Sequence, residues 1–240
     1  MKRRTPITAQ APRLCLDILK QPHTLIAGAT GSGKSVLINS LIYTALLSGP
    51  SEKQLILIDP KRVELADYKD LPHTIRYASE PAEIVKALAL AIGIMEHRYK
   101  HMQKRRQRKS NEAHIFIIVD EFADLMTTQK RETLPILCRL AQLGRAANIH
   151  LVLATQRPTS DIINGQIKVN IDARLALRCP TAQDSRNIIH EKGAELLPRY
   201  GQGFYLTPET MTPVAVNIPY TDPDTINRII YYWNPKARRR

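Results

Sequence analysis

Along this chain, short apolar runs alternate with longer stretches whose apolar residues recur every three or four positions. Leu25-Ile26-Ala27 runs into a glycine-rich turn and reads as a buried strand. Val36 to Leu47 follows with helical spacing, closed by Gly49-Pro50. Gln54 to Ile58 predicts a second strand that stops at Asp59-Pro60. Ile84, Val85, Leu88, Ile92, Met95, Tyr99 and Met102 predict one long helix from Pro81 to about Arg106. Ile115 to Val119 (IFIIV) is rich in β-branched residues and reads as a buried parallel strand. Leu134 to Ala147 predicts a helix, and His150 to Ala154 another strand.

The pattern continues with a short helix over Ile162 to Val169, a strand over Ala173 to Leu177 and a helix over Ala182 to His190. Strands follow near Gly203 to Leu206 and Pro213 to Ile218, and a last helix spans Asp222 to Tyr232. Strands alternating with helices, without an internal repeat or long linker, predict one doubly wound α/β domain with a mainly parallel sheet. A chain of 240 residues is long enough to bury its core.

Composition narrows the function classes. No run approaches the roughly 18 uninterrupted apolar residues of a membrane helix, and the basic start MKRRTPITAQ lacks the apolar run of a secretory signal. Cys15, Cys138 and Cys179 form no CxxC pair, so they are expected to be reduced thiols of a cytoplasmic protein. The net charge of +13 is concentrated. Lys2, Arg3 and Arg4, the run Arg98, Lys100, Lys104, Arg105, Arg106, Arg108 and Lys109, and the tail Lys236, Arg238, Arg239 and Arg240 account for more than all of it. The remainder is near neutral. Such runs suggest a polyanionic partner.

Gly28-Ala29-Thr30-Gly31-Ser32-Gly33-Lys34-Ser35 matches GxxxxGK[ST] between a predicted strand and a predicted helix. In that setting backbone N–H groups turn inward around the phosphates of ATP. Lys34 is expected to stand exposed at the loop, contributing little packing, and to reach the β- and γ-phosphates. The Ser35 hydroxyl is expected to coordinate Mg2+. Asp120-Glu121 closes the IFIIV strand, at the carboxyl edge where open α/β sheets bind ligands. Asp120 is expected to hold Mg2+ through water, and Glu121 to activate the attacking water. Gln156, at the tip of the neighbouring strand, is the candidate γ-phosphate sensor.

Taken together, LIAGATGSGKSVLINSLI, LILIDPKRVELADY, MEHRY, IIVDEFADLM, RLAQLGRAANIHLVLATQRP and DSRNII resemble the motor domain of FtsK/SpoIIIE-type DNA translocases. The likeness runs from about Pro22 to Leu206 in the family's order. It implies a P-loop (RecA-like) ATPase domain over residues 22–220, between a basic segment 1–21 and a C-terminal helix and tail 221–240. It implies a hexameric ring that pumps double-stranded DNA through a central pore by ATP hydrolysis. Arg145 matches the family's arginine finger, which acts on the neighbouring subunit's ATP, and Arg157, Lys168 and Arg186 match its DNA-contacting pore positions. Lys61, in the family-like Asp59-Pro60-Lys61, receives no role. The membrane helices, long linker and winged-helix module of the cell-division members are not in this sequence, so an excised motor or a minimal translocase is expected. The alternatives are a conjugation coupling or DNA-packaging ATPase, and an ATP-controlled nucleic-acid-binding switch.

Overall fold

The structure is a computed structural model and describes residues 11–234. The basic N-terminal cluster and the basic tail lie outside that range. In chain order the elements begin α1 (Arg13–Lys20), β1 (His23–Ala27), α2 (Lys34–Leu46), β2 (Lys53–Ile58), β3 (Thr74–Ala78), α3 (Pro81–Arg105) and β4 (His114–Val119). They continue α4 (Phe122–Thr128), α5 (Lys130–Leu143), β5 (Ile149–Thr155), α6 (Gly165–Asn170), β6 (Ala173–Ala176), α7 (Ala182–Ile189), β7 (Gln202–Leu206), β8 (Val214–Asn217) and α8 (Pro223–Trp233).

The strands form one eight-stranded sheet in the order β3-β2-β4-β5-β1-β6-β7-β8. Pairing is parallel from β3 through β6 and antiparallel for β7 and β8. Successive residues of a strand point to opposite faces, so the apolar runs divide between two cores. Ile56, Ile58, Ile117, Val119, Leu151 and Leu153 pack under α3 to α7. Leu55, Leu57, Phe116, Ile118 and Val152 pack with α1, α2 and α8. A strand whose two faces are both covered reads as continuous hydrophobicity. The doubly wound, mainly parallel architecture expected from the alternation is the one observed.

Several elements differ from the expectation. α1 buries Cys15, Ile18 and Leu19 against α2. β3 adds an edge strand to β2. α4 begins one residue after Glu121. α5 starts at Lys130, four residues before the expected Leu134, and contains Pro135 near its start. Pro135 lies inside the helix, past the Thr133 N–H that already donates to the Gln129 carbonyl, so α5 runs with one ladder hydrogen bond missing there. α6 starts at Gly165, where the Asn164 side chain accepts from the Ile167 N–H. The long helix is realised as α3, but Arg98 of the basic run is not a solvated cation. It is 3% exposed, pairs with Glu112 at 3.4 Å and donates to the Ala147 carbonyl at 2.6 Å. Arg98 fastens α3 to the turn that precedes β5, so its charge is already engaged.

Candidate nucleotide site

The loop after β1 lies at the carboxyl edge of the sheet, held by both neighbours. The Gly28 N–H donates to the Thr155 carbonyl at 3.2 Å and the Ala29 N–H to the Arg178 carbonyl at 2.8 Å. A Cβ on Gly28 would lie 2.6 Å from the Leu177 Cβ, so only glycine fits against β6. Gly31 (φ 73°) and Gly33 (φ 95°) take left-handed backbone, and Gly33 caps α2. Gly28, Ala29, Thr30, Gly31, Ser32, Gly33, Lys34 and Ser35 therefore wrap the start of a helix as a phosphate cradle does. The buried Ser32 hydroxyl has no partner of its own.

β4 lies two strands from β1, with β5 between them, and brings Asp120 and Glu121 to the same edge. The Lys34 ammonium donates to the Asp120 carboxylate at 2.6 Å and to the Asp120 carbonyl at 2.7 Å. Lys34 is 3% exposed, so the expectation of an exposed lysine is corrected. Its side chain folds back across the sheet edge because Asp120 offers a charge and a carbonyl together. An ion pair this buried makes each partner necessary to the other.

Glu121, also buried, is clamped from three directions. Thr155 Oγ1 donates to it at 2.7 Å, the Gln156 N–H at 3.2 Å, and the Lys61 ammonium lies 3.3 Å away. The Gln156 side chain turns to the cradle and accepts from Thr30 Oγ1 at 2.8 Å. Gln156 thus touches the phosphate loop with its side chain and the carboxylate with its backbone. Burial pushes the nearby Asp124 carboxyl up, and Lys61 opposes that shift.

Three participants escape sequence reasoning. Lys61 contacts Glu121, Glu64 accepts from the Ser35 hydroxyl at 2.7 Å, and Thr155 is the shortest contact of Glu121. Lys61 and Glu64 come from the loop after β2, beside β4, and only the strand order shows how close that loop passes. The Ser35 hydroxyl and the Asp120 carboxylate are hard oxygen donors of the kind that suits Mg2+. Among the described residues no group of three His, Cys, Asp or Glu could hold a metal alone. A divalent ion here would need phosphate oxygens as further ligands.

Arg145 lies at the opposite edge, in the turn between α5 and β5. Seven residues of β5 separate that turn from Gln156, about 20 Å at strand rise. Arg145 therefore cannot serve the site of its own chain. Its turn is rigid. Gly144 is pressed against the Leu140 and Ile149 carbonyls, and Asn148 donates to the Ser110 and Glu112 carbonyls at 2.9 and 3.0 Å. Exposed Arg157 follows β5 at the carboxyl edge, half-buried Lys168 lies on α6, and exposed Arg186 lies on α7. Asn187 donates to the Pro158 carbonyl at 3.1 Å, tying α7 to the loop that carries Arg157. The Lys168 carbonyl accepts from buried Arg174.

The sequence model of the FtsK/SpoIIIE family matches residues 6–114 and 102–160. The chain is 36% identical over 254 residues to the DNA translocase FtsK of Pseudomonas syringae pv. tomato, over 90% of this chain and 32% of that protein. It is 41% identical over 232 residues to the DNA translocase FtsK of Treponema pallidum, over 90% of this chain and 29% of that one. The chain thus spans about a third of the length of these relatives. The solved monomer of the pCW3 conjugation coupling protein TcpA with ATPγS superposes with a TM-score of 0.78 at 25% identity, covering 91% of this chain and 66% of that one. With a family match across most of the chain, and the family's phosphate loop and acidic strand end meeting at one sheet edge, this chain belongs to the FtsK/SpoIIIE family.

Proposed function

We propose that this chain is an ATP-driven translocase of double-stranded DNA, working in the cytoplasm as a ring-shaped homo-oligomer, a hexamer. The observation that carries the proposal is the Thr30–Gln156–Glu121 connection, which links the phosphate loop to a buried carboxylate through one residue. ATP would enter the cradle, and Lys34 would exchange Asp120 for the β- and γ-phosphates. Mg2+, when bound, would be held by Ser35 and Asp120 and would neutralise phosphate charge. Glu121 would take a proton from the water attacking the γ-phosphorus while the bond to the β-phosphate oxygen breaks, giving ADP and phosphate. Gln156 would register loss of the γ-phosphate through its contacts.

Arg145 belongs in this reading to the neighbouring subunit's site, where a guanidinium offsets charge in the transition state. The placement of Arg145 at the far edge of the sheet supports action between subunits. Arg157, Lys168 and Arg186 would grip DNA phosphates in the pore, without reading sequence. A conjugation coupling ATPase is the second reading, favoured by the superposition on TcpA. Glu121→Gln should keep ATP affinity within about threefold and lose hydrolysis about a hundredfold or more. Arg145→Ala should also retain ATP affinity and lose turnover. ATPase and nucleotide-binding assays on both variants check this. Normal turnover in Glu121→Gln overturns the catalytic assignment, and normal turnover in Arg145→Ala overturns the finger.

A further inference from the structure

The nucleotide site has a second wall that the family-like motifs do not include. Arg199 lies in the loop between α7 and β7, and β7 is separated from β1 only by β6. Its guanidinium reaches over the phosphate loop: a Cβ placed on Gly31 would lie 3.3 Å from one of its nitrogens and 3.5 Å from another. Arg199 is exposed and stacks on Tyr200, with its central carbon 5.2 Å from the ring centroid. Among the described residues no carboxylate pairs with it. An unpaired guanidinium over a cradle of backbone N–H groups is arranged for an anion.

Strand order says which end of the nucleotide it meets. Glu121 and Gln156, which attend the γ-phosphate in the function proposed above, end β4 and β5 on one side of β1. Arg199 and Tyr200 stand beyond β6 on the other side. A triphosphate laid along the loop with its γ-phosphate toward Glu121 presents its α-phosphate and nucleoside to Arg199. We infer that Arg199 binds the α-phosphate end of the nucleoside triphosphate within its own subunit, with Tyr200 bracing the guanidinium by cation–π contact. This rests on the nucleotide-site reading, and it assigns Arg199 to ground-state binding, apart from the hydrolytic groups.

Titration calorimetry of the whole chain with Mg-ATP and Mg-ADP tests it, with turnover measured at saturating ATP. Arg199→Ala should weaken ATP and ADP alike, by about tenfold for one lost charge-assisted hydrogen bond. Turnover at saturation should stay within about twofold, and Arg199→Lys should recover part of the affinity. ADP shares the α-phosphate and lacks the γ-phosphate, so equal losses locate the contact. Unchanged affinity for both nucleotides in Arg199→Ala overturns the inference. So does a loss confined to ATP, or a fall in saturated turnover, either of which would move Arg199 to the γ-phosphate. Wild-type protein that binds neither nucleotide would bring down the nucleotide-site reading itself, whereas normal wild-type binding with an unaffected Arg199→Ala removes Arg199 alone.

Discussion

Lys34 and Asp120 form a buried pair that is both a nucleotide-site feature and a packing feature. Removing Lys34 leaves a carboxylate at 1% exposure with no counter-charge, which destabilises by about 3–5 kcal/mol. Lys34→Ala should therefore lower the melting temperature as well as abolish ATP binding. Adding Asp120→Asn should restore much of the stability but no binding. Thermal unfolding of the two single variants and the double variant gives the coupling, and additive losses would contradict the pair. Lys61 contacts the neighbouring acid, Glu121, at 3.3 Å. It is a positioning residue, so Lys61→Ala should lower kcat about tenfold with little change in ATP affinity, and Lys61→Arg should recover part of it. Equal turnover in all three proteins would contradict the role. Lys34, Ser35, Asp120, Glu121 and Gln156 were legible in the sequence because each occupies a motif or a strand tip. The Lys34 burial, Lys61, Glu64 and Thr155 were not, because they depend on which loops the sheet order makes neighbours.

At the level of elements, the strands of the buried centre announced themselves by continuous apolar runs. β3 did not: its five residues include exposed Arg76, and an edge strand has one neighbour to satisfy. α1 and α4, of 8 and 7 residues, were not legible in the sequence, although α7, also of 8 residues, was. Pro135 hid the true start of α5. The amino edge of the sheet holds a further consequence. His23, at the start of β1, is held down to about 3 by burial and then by His150, and burial holds His150, in β5, down to about 4. The His150 Nδ1 must donate to the Gln21 carbonyl at 2.9 Å, so its Nε2 accepts from His114. Both buried rings are neutral in the folded chain, while the unfolded chain gains protons as pH falls below about 6.5. Folding stability is therefore full above that pH and is lost as pH falls toward the folded values. At pH 5 the loss is about 2 kcal/mol per ring. Melting temperature should drop between pH 7.5 and 5, and the drop should shrink in His150→Gln. A pH-independent melting temperature would contradict the assignment.

At the scale of the whole molecule, the sheet separates two groups of candidate residues along its strands. The nucleotide groups occupy the carboxyl edge, and Arg145 occupies the amino edge in a turn braced by Arg98, Asn148 and Gly144. On the function proposed above, a site would be completed only when a second copy brought its amino edge to the first copy's carboxyl edge, a heterologous contact of the kind that can close into a ring. Arg157 and Arg186 lie on segments joined by the Asn187–Pro158 hydrogen bond, and Lys168 lies on α6, where its carbonyl accepts from Arg174. On the function proposed above, the chain hydrolyses ATP to travel along duplex DNA. The most direct measurement is steady-state ATPase rate against duplex length, at constant total nucleotide concentration of DNA. A translocase spends more of each encounter moving on a longer duplex, so the rate should climb with length before levelling, and the Arg157, Lys168 and Arg186 triple alanine variant should lose the climb. A rate that DNA leaves unchanged, or that is already maximal on the shortest duplex bound, would contradict translocation.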